Sequence, residues 1–216
     1  MAALFTELAH VHPGVSALAD SLCRLSALPV CNDPAQRFAA LHMIGFKNAP
    51  GQAPMLNLEW LLRRLPDPDQ PGQYGCYDDA TYLHALADER DTPLATLADV
   101  LQRRWFAHEK SQVLHLWLAA VDLAPVAPKK RAQRATPKKR AQSDGYERWK
   151  IYLRGEGRSL SLAHLAPFAH LHPNAEAGVR LLSDFYQSQQ NLQLYGFALS
   201  LDSNNAYALN TYFIAE

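Results

Sequence analysis

The chain has 216 residues, of which 48% are hydrophobic, and its 21 Lys or Arg residues balance its 21 Asp or Glu residues. Its three cysteines are an odd number without metal-type spacing, which argues against a disulfide framework and favours a reducing compartment. No apolar run approaches the ~18 residues that span a bilayer, and the N-terminus lacks the basic start of a secretory signal. We therefore expect a cytoplasmic protein without a membrane segment.

Apolar residues recur at helical spacing through most of the chain, and this periodicity predicts an all-α fold. The best-marked helix starts with Thr92 as the N-cap before Pro93, and leucines follow on one face. We expect Trp105 and Trp117 to be buried at the centre of the N-terminal part. Further helices are predicted at about residues 56–65, 79–88, 111–123, 146–154, 160–170, 175–189, 192–201 and 206–215.

A basic segment at 124–143 interrupts this pattern. It contains three prolines and two copies of Lys-Lys-Arg-Ala-Gln, but almost no large apolar side chain. Such a segment cannot bury enough surface to offset the entropy of ordering it. The sequence therefore predicts two helical parts, an N-terminal domain at 1–123 and a C-terminal domain at 144–216, joined by a disordered basic linker.

Positive charge is concentrated in this linker and just after it. Residues 129–158 contain eleven Lys or Arg and three acidic residues, a net charge of +8, so the rest of the chain carries −8. The segment is therefore a candidate for contact with nucleic-acid phosphates or with an acidic protein surface, and the simpler alternative is a solubilising tether. The candidate nucleic-acid contacts are Lys129, Lys130, Arg131, Arg134, Lys138, Lys139, Arg140, Arg148, Lys150 and Arg154.

Aromatic and basic side chains occur together directly after the linker, at residues 146–154. On a helix, the three basic residues of this segment would flank a face formed by Tyr146, Trp149 and Leu153. Aromatic rings beside cations can stack on bases while the cations neutralise phosphates. The alternative is that these three apolar side chains form the core face of an amphipathic helix.

Two parts of the C-terminal segment, residues 181–186 and 195–209, resemble a degenerate tetratricopeptide repeat. Residues 198–206, Ala-Leu-Ser-Leu-Asp-Ser-Asn-Asn-Ala, look like the end of one repeat helix, the turn between repeats and the start of the next helix. Ser203 stands where the family usually has a proline. The resemblance implies an αα-hairpin with a surface for binding another protein.

A histidine pattern occurs twice, because residues 9–17 and 169–177 share Ala, His, His, Pro and Ala at identical spacing. Each copy predicts a helix that ends at His-x-His-Pro and a second helix that begins after the turn. Imidazoles are common metal ligands, but a His-x-His pair beside a proline fits the capping of carbonyls at a helix end, so we expect no metal. The four histidines are His10, His12, His170 and His172.

These patterns favour a non-catalytic adaptor or assembly subunit that binds a protein partner through helical surfaces. The alternative is a nucleic-acid-associated subunit that contacts phosphates through the linker and Tyr146–Arg158. The sequence contains no Gly-x-Ser-x-Gly, glycine-rich phosphate loop or His-Glu-x-x-His, and we expect no cofactor. Neither the identity of the partner nor the oligomeric state follows from the sequence.

The linker prediction can be tested by limited proteolysis. Seven trypsin-sensitive residues lie between Lys129 and Arg140, and an exposed, unstructured segment is cut before folded regions are. Brief trypsin treatment, followed by mass spectrometry, should therefore yield two resistant fragments that are separated at this segment. Protection of the segment in the isolated protein would show that it is ordered.

Overall fold

The computed structural model describes residues 2–26, 41–47, 54–61, 79–106, 114–124, 147–155, 160, 162–168, 171, 175–188 and 192–215. Within these ranges the α-helices are α1 (Ala2–Val11), α2 (Gly14–Ser26), α3 (Asp79–Ala87), α4 (Pro93–Leu101) and α5 (Ala175–Ser188). A π-helical turn at Gln102–Phe106 extends α4, and a 3-10 helix covers Leu162–Phe168. The strands are β1 (Leu41–Lys47), β2 (Met55–Leu61), β3 (Leu114–Leu123), β4 (Glu147–Gly155), β5 (Leu192–Asp202) and β6 (Tyr207–Ala215).

These strands form one antiparallel sheet in which each strand pairs with the next along the chain, in the order β1 to β6. The prediction of an all-α fold is therefore wrong. Strands β2 to β6 lie within or overlap five segments that were expected to be helices, at about 56–65, 111–123, 146–154, 192–201 and 206–215.

The central strands were mistaken for helices because both of their faces are apolar or buried. In β3, Ala119 and Val121 belong to the core, but Leu118 and Ala120 on the opposite face are also buried. A strand that is buried on both sides shows a continuous apolar run instead of alternation, and such a run cannot be distinguished from a buried helix by its period.

The resemblance to a tetratricopeptide repeat is wrong, because residues 195–209 belong to a β-hairpin and only residues 181–186 are helical, as part of α5. β5 and β6 pair along their length, and the supposed turn between repeats connects them. One carboxylate oxygen of Asp202 accepts hydrogen bonds from the backbone N–H groups of Asn204 and Ala206, each at 2.9 Å. Asn205 has a φ of 60°, a left-handed conformation that Asn tolerates better than most residues.

Several of the predicted helices are confirmed. α4 begins as predicted, because the hydroxyl oxygen of Thr92 accepts a hydrogen bond from the backbone N–H of Leu94 and Pro93 occupies the first turn. α3 and α5 lie where helices were expected, and α1 and α2 flank the first His-x-His-Pro turn. The predicted helix at 160–170 is present as the shorter 3-10 helix.

The helices and one face of the sheet enclose a single hydrophobic core. Its largest members include Trp60 of β2 and Trp149 of β4, whose rings stack with centroids 6.3 Å apart. The indole N–H of Trp60 donates to the hydroxyl of Ser26 at 2.9 Å, so α2 is joined to this stack. Leu118, Ala120 and Ala198 are buried but lie outside this cluster, because they are on the other face of the sheet.

Both halves of the chain contribute strands to this sheet. β3, from the first half, pairs with β4, from the second, over the whole length of both strands. Residues 125–146, which include nearly all of the predicted linker, lie outside the described ranges, so the domain boundaries stay a prediction. Among the helices that the structure describes, none has the length and apolar character needed to cross a membrane.

Candidate binding face

The basic residues predicted in 146–154 share one face of β4, opposite the helices. Arg148, Lys150 and Arg154 alternate along the strand with core residues, so they do not flank a helical stripe. Trp149 and Leu153 are core residues, but they lie on a strand and not on the amphipathic helix of the alternative interpretation. The remaining candidates lie outside the described residues: Tyr146, Lys129, Lys130, Arg131, Arg134, Lys138, Lys139 and Arg140.

Asp122 of β3 is the centre of a buried polar network on this face. Its carboxylate accepts hydrogen bonds from the ammonium group of Lys47 and the amide of Asn57, each at 2.8 Å, and from the ammonium group of Lys150. Burial alone would raise the pKa of Asp122, but the two ammonium groups hold it below its ordinary value. Burial and the charge of Lys47 lower the pKa of Lys150, against the opposing effect of Asp122.

Arg148 is also paired with a carboxylate. Its guanidinium lies 3.7 Å from the carboxylate of Asp202, which is the residue that organises the β5–β6 turn. Two of the three basic residues of β4 are therefore neutralised by acidic neighbours within the sheet. This pairing reduces their availability for phosphate groups.

Arg154 has a different environment, which two irregularities in the sheet produce. The pairing register shifts between Leu116 and Leu118 in β3 and between Leu194 and Gly196 in β5. The extra residues at these bulges are Trp117 and Tyr195, which lie on either side of Arg154. A β-bulge re-aims the side chain of the extra residue, and here both bulges direct an aromatic ring towards the same guanidinium.

The guanidinium of Arg154 occupies the corner between these two rings. Its central carbon is 4.3 Å from the ring centroid of Tyr195 and 5.5 Å from that of Trp117. The rings are nearly perpendicular, at 89°, with centroids 6.1 Å apart. Contacts of a cation with aromatic faces stabilise the charge, but two nitrogens of this guanidinium, Nε and Nη1, have no hydrogen-bond acceptor.

Gly196 makes this arrangement sterically possible. It pairs with Arg154, and a Cβ atom at this position would lie 2.4 Å from the carbonyl oxygen of Leu153. Any larger residue would push β5 away from β4 beside the bulge that carries Tyr195. The close approach of the two strands therefore requires glycine here.

Tyr152 lies two residues after Lys150 on the same face of β4 and packs against Tyr212 of β6. Their ring centroids are 5.7 Å apart, and burial is the main cause that raises the pKa of both phenols. Tyr212 and Ile214 of β6 lie on the same face and are exposed by 38% and 44%. We call the surface formed by Trp117, Arg154, Tyr195, Tyr212 and Ile214 the aromatic face.

The expectation that Trp117 is a core residue is wrong. The bulge in β3 places it on the aromatic face, where its ring is partly exposed. No feature of the sequence signals this position, because bulges are set by pairing with neighbouring strands. The side chain of Trp105 lies outside the described part of the chain.

The first histidine pair is in the α1–α2 connection and not on the aromatic face. His10 is exposed, whereas His12 is buried and its backbone N–H donates to the carbonyl of Leu8 at 2.7 Å. Burial lowers the pKa of His12, against a smaller opposing effect of the Leu123 backbone. His170 and His172 lie outside the described residues, and the described ranges contain no group of three metal-ligating side chains.

No protein-family model, curated protein or solved structure matches this chain. The function proposed below therefore depends on the geometry and charges of the aromatic face and its neighbours.

The Asp122 network can be tested by removing its negative charge. Asp122→Asn leaves two ammonium groups together without a counter-charge, so it should lower the free energy of unfolding by about 3–5 kcal/mol. Asp99→Asn is the matched control, because Asp99 pairs with Arg103 on the surface of α4 at 2.7 Å and is half exposed. This control should cost less than about 0.5 kcal/mol. Urea denaturation at pH 7 measures both values.

The destabilisation caused by Asp122→Asn should depend on pH. Because the folded pKa of Asp122 is below its ordinary value of 3.8, the carboxylate stabilises the fold above that pH, and this stabilisation is lost as the pH falls through the folded pKa. The stability difference between wild type and Asp122→Asn should therefore shrink under acid conditions. A cost equal to that of Asp99→Asn at pH 7 would contradict the network.

Proposed function

We propose that this protein is a non-catalytic adaptor or assembly subunit that binds a protein partner through the aromatic face. The observation that carries this proposal is the exposure of Tyr212 and Ile214 beside Trp117, Arg154 and Tyr195. Protein interfaces are enriched in Tyr, Trp and Arg, and these residue types dominate binding hot spots. The composition of this surface therefore supports protein binding.

The neighbouring polar residues support binding over catalysis. The carboxylate of Asp122 is engaged by three donors, and that of Asp202 is engaged by two backbone N–H groups and Arg148. Groups held in this way organise the sheet and are poorly suited to transfer protons to a substrate. Their contribution to the aromatic face is rigidity, which lowers the entropy cost of association.

The binding surface that we propose is not the helical surface that was expected from the sequence. A helical surface was expected, and the helices do expose Val11, Leu181 and Phe185. These residues are spread over two helices, α1 and α5, and neither helix contains a tryptophan. Strand β1 also exposes apolar residues, but it is flanked by residues 27–40 and 48–53, which lie outside the described ranges.

The nucleic-acid alternative has less support from the described residues. Lys150 and Arg148 are paired with Asp122 and Asp202, so phosphate binding would have to displace these carboxylates. The basic residues at 129–140 lie outside the described part of the chain and stay candidates.

Binding of a purified partner to surface variants tests the proposal. The partner is first obtained by co-purification from native cells and identified by mass spectrometry, and its affinity is then measured by calorimetry. Tyr212→Ser combined with Ile214→Ser should weaken binding by at least about tenfold, because each change removes an apolar contact from the interface. Val11→Ser combined with Leu181→Ser is the matched control, since it removes two exposed apolar side chains from the helices.

The control also identifies the outcomes that would overturn the proposal. If the Val11 and Leu181 changes weaken binding and the β6 changes do not, the partner binds the helical surface. If the protein instead binds single-stranded RNA or duplex DNA tightly and with steep salt dependence, and replacement of the basic residues at 129–140 by Gln abolishes this binding, the protein is a nucleic-acid-associated subunit.

A further inference from the structure

We infer that Arg154 and Trp117 form a carboxylate-binding site on the aromatic face, and that the partner supplies the carboxylate as an acidic side chain. This inference rests on the proposed function for the source of the carboxylate. The site itself consists of hydrogen-bond donors of Arg154 and Trp117 that have no acceptor in the structure.

Three donor atoms at this site are buried and have no hydrogen-bond partner. They are Nε and Nη1 of Arg154 and Nε1 of Trp117. Leaving a buried donor unpaired is costly, and the cost is greater when the donor is charged. Donors from two strands meet here because the β3 bulge places the indole of Trp117 beside the guanidinium.

Arg154 differs from the other cations of the same strand in lacking an acidic partner. Lys150 is bound to Asp122, and Arg148 lies beside Asp202, but no carboxylate of the described residues is within ion-pair distance of Arg154. The alternating positions of β4 thus provide two cations that are paired with carboxylates and one, Arg154, whose charge contacts aromatic rings. Buried charges in proteins are ordinarily paired, so this contrast points to an acceptor that the described residues do not supply.

The shape and charge of the site select a carboxylate. The unpaired nitrogens of Arg154, Nε and Nη1, lie on different edges of the guanidinium, and the unpaired indole N–H of Trp117 lies beside this group. The two oxygens of a carboxylate can therefore accept one hydrogen bond from the guanidinium and one from the indole. Recognition of phosphate groups by arginine generally uses a cluster of cations, whereas the described residues place one guanidinium at this corner. A monoanion is therefore the best match.

The surroundings place this site within the proposed interface. Tyr212 pairs with Gly196, which in turn pairs with Arg154, so the exposed phenol and the guanidinium lie on adjoining strands of one face. A partner that covers Tyr212 and Ile214 would also exclude water from Arg154. An ion pair formed there would be strengthened by the lower local dielectric constant.

Nuclear magnetic resonance of the intact, nitrogen-15-labelled protein tests this site directly. The resonances of Arg154 Nε–H and Trp117 Nε1–H are assigned with Arg154→Lys and Trp117→Phe. The probe is the blocked tripeptide acetyl-Gly-Glu-Gly-amide, and the isosteric control is acetyl-Gly-Gln-Gly-amide. The Glu peptide should shift both resonances saturably with a dissociation constant in the millimolar range, which is the scale of a single contact without the rest of the interface.

Protein variants and a second anion sharpen the test. Arg154→Lys keeps a positive charge but replaces the planar guanidinium and its fixed N–H groups by a flexible ammonium group. This variant should therefore bind the Glu peptide at least about tenfold more weakly. Arg180→Lys is the matched control, because Arg180 lies on exposed α5 beside Glu176 and should leave the titration unchanged. Inorganic phosphate should bind no more tightly than the Glu peptide.

Three results would overturn the inference: equal shifts with both peptides, undiminished binding in Arg154→Lys, or phosphate binding at least ten times tighter than the Glu peptide. The failure of this inference can be distinguished from that of the proposed function. If only the carboxylate site is wrong, the β6 variants still weaken partner binding and the peptide titration is negative. If only the proposed function is wrong, the free Glu peptide still binds to Arg154 and the β6 variants do not weaken partner binding.

Discussion

The antiparallel pairing of β3 with β4 is the constraint on which the rest of the structure depends. It joins the two halves of the chain and aligns Val121 with Trp149, which brings the Trp149 ring against Trp60 of β2. The same register aligns Asp122 with Arg148 and Ala120 with Lys150 on the other face. A shift of one residue would exchange the two faces of β4 and place its cations in the core.

The two faces of the sheet consequently serve different purposes. One face is apolar and supports the helices, which contribute leucines from α2, α3 and α4 to a common core. The opposite face carries fixed charge pairs in its interior and aromatic side chains towards β6. Bulges in β3 and β5 produce the arrangement around Arg154, because each adds one residue to a strand while β4 between them stays regular through this region.

Helices with local signals were predictable from the sequence. The capping hydroxyl of Thr92 and the adjacent Pro93 determine the start of α4 within a few residues. The strands depend on non-local pairing. In β4, Tyr152 adds an aromatic side chain to the face opposite Trp149, so the sequence of this strand does not read as a simple apolar–polar alternation although its side chains alternate between the two faces. The charge of Arg148, Lys150 and Arg154 was recognised, but their separation into paired and unpaired cations depends on Asp122 and Asp202, which are distant in sequence.

Cleavage of the full chain within 124–143 tests the pairing of β3 and β4 most directly. A site for a sequence-specific protease is inserted there, the protein is cut after folding, and the products are examined by native size-exclusion chromatography and amide hydrogen exchange. The two fragments should stay associated, and the backbone amides of β3 and β4 that bond to each other should exchange slowly. Separation of the fragments into two independently folded pieces would contradict the shared sheet.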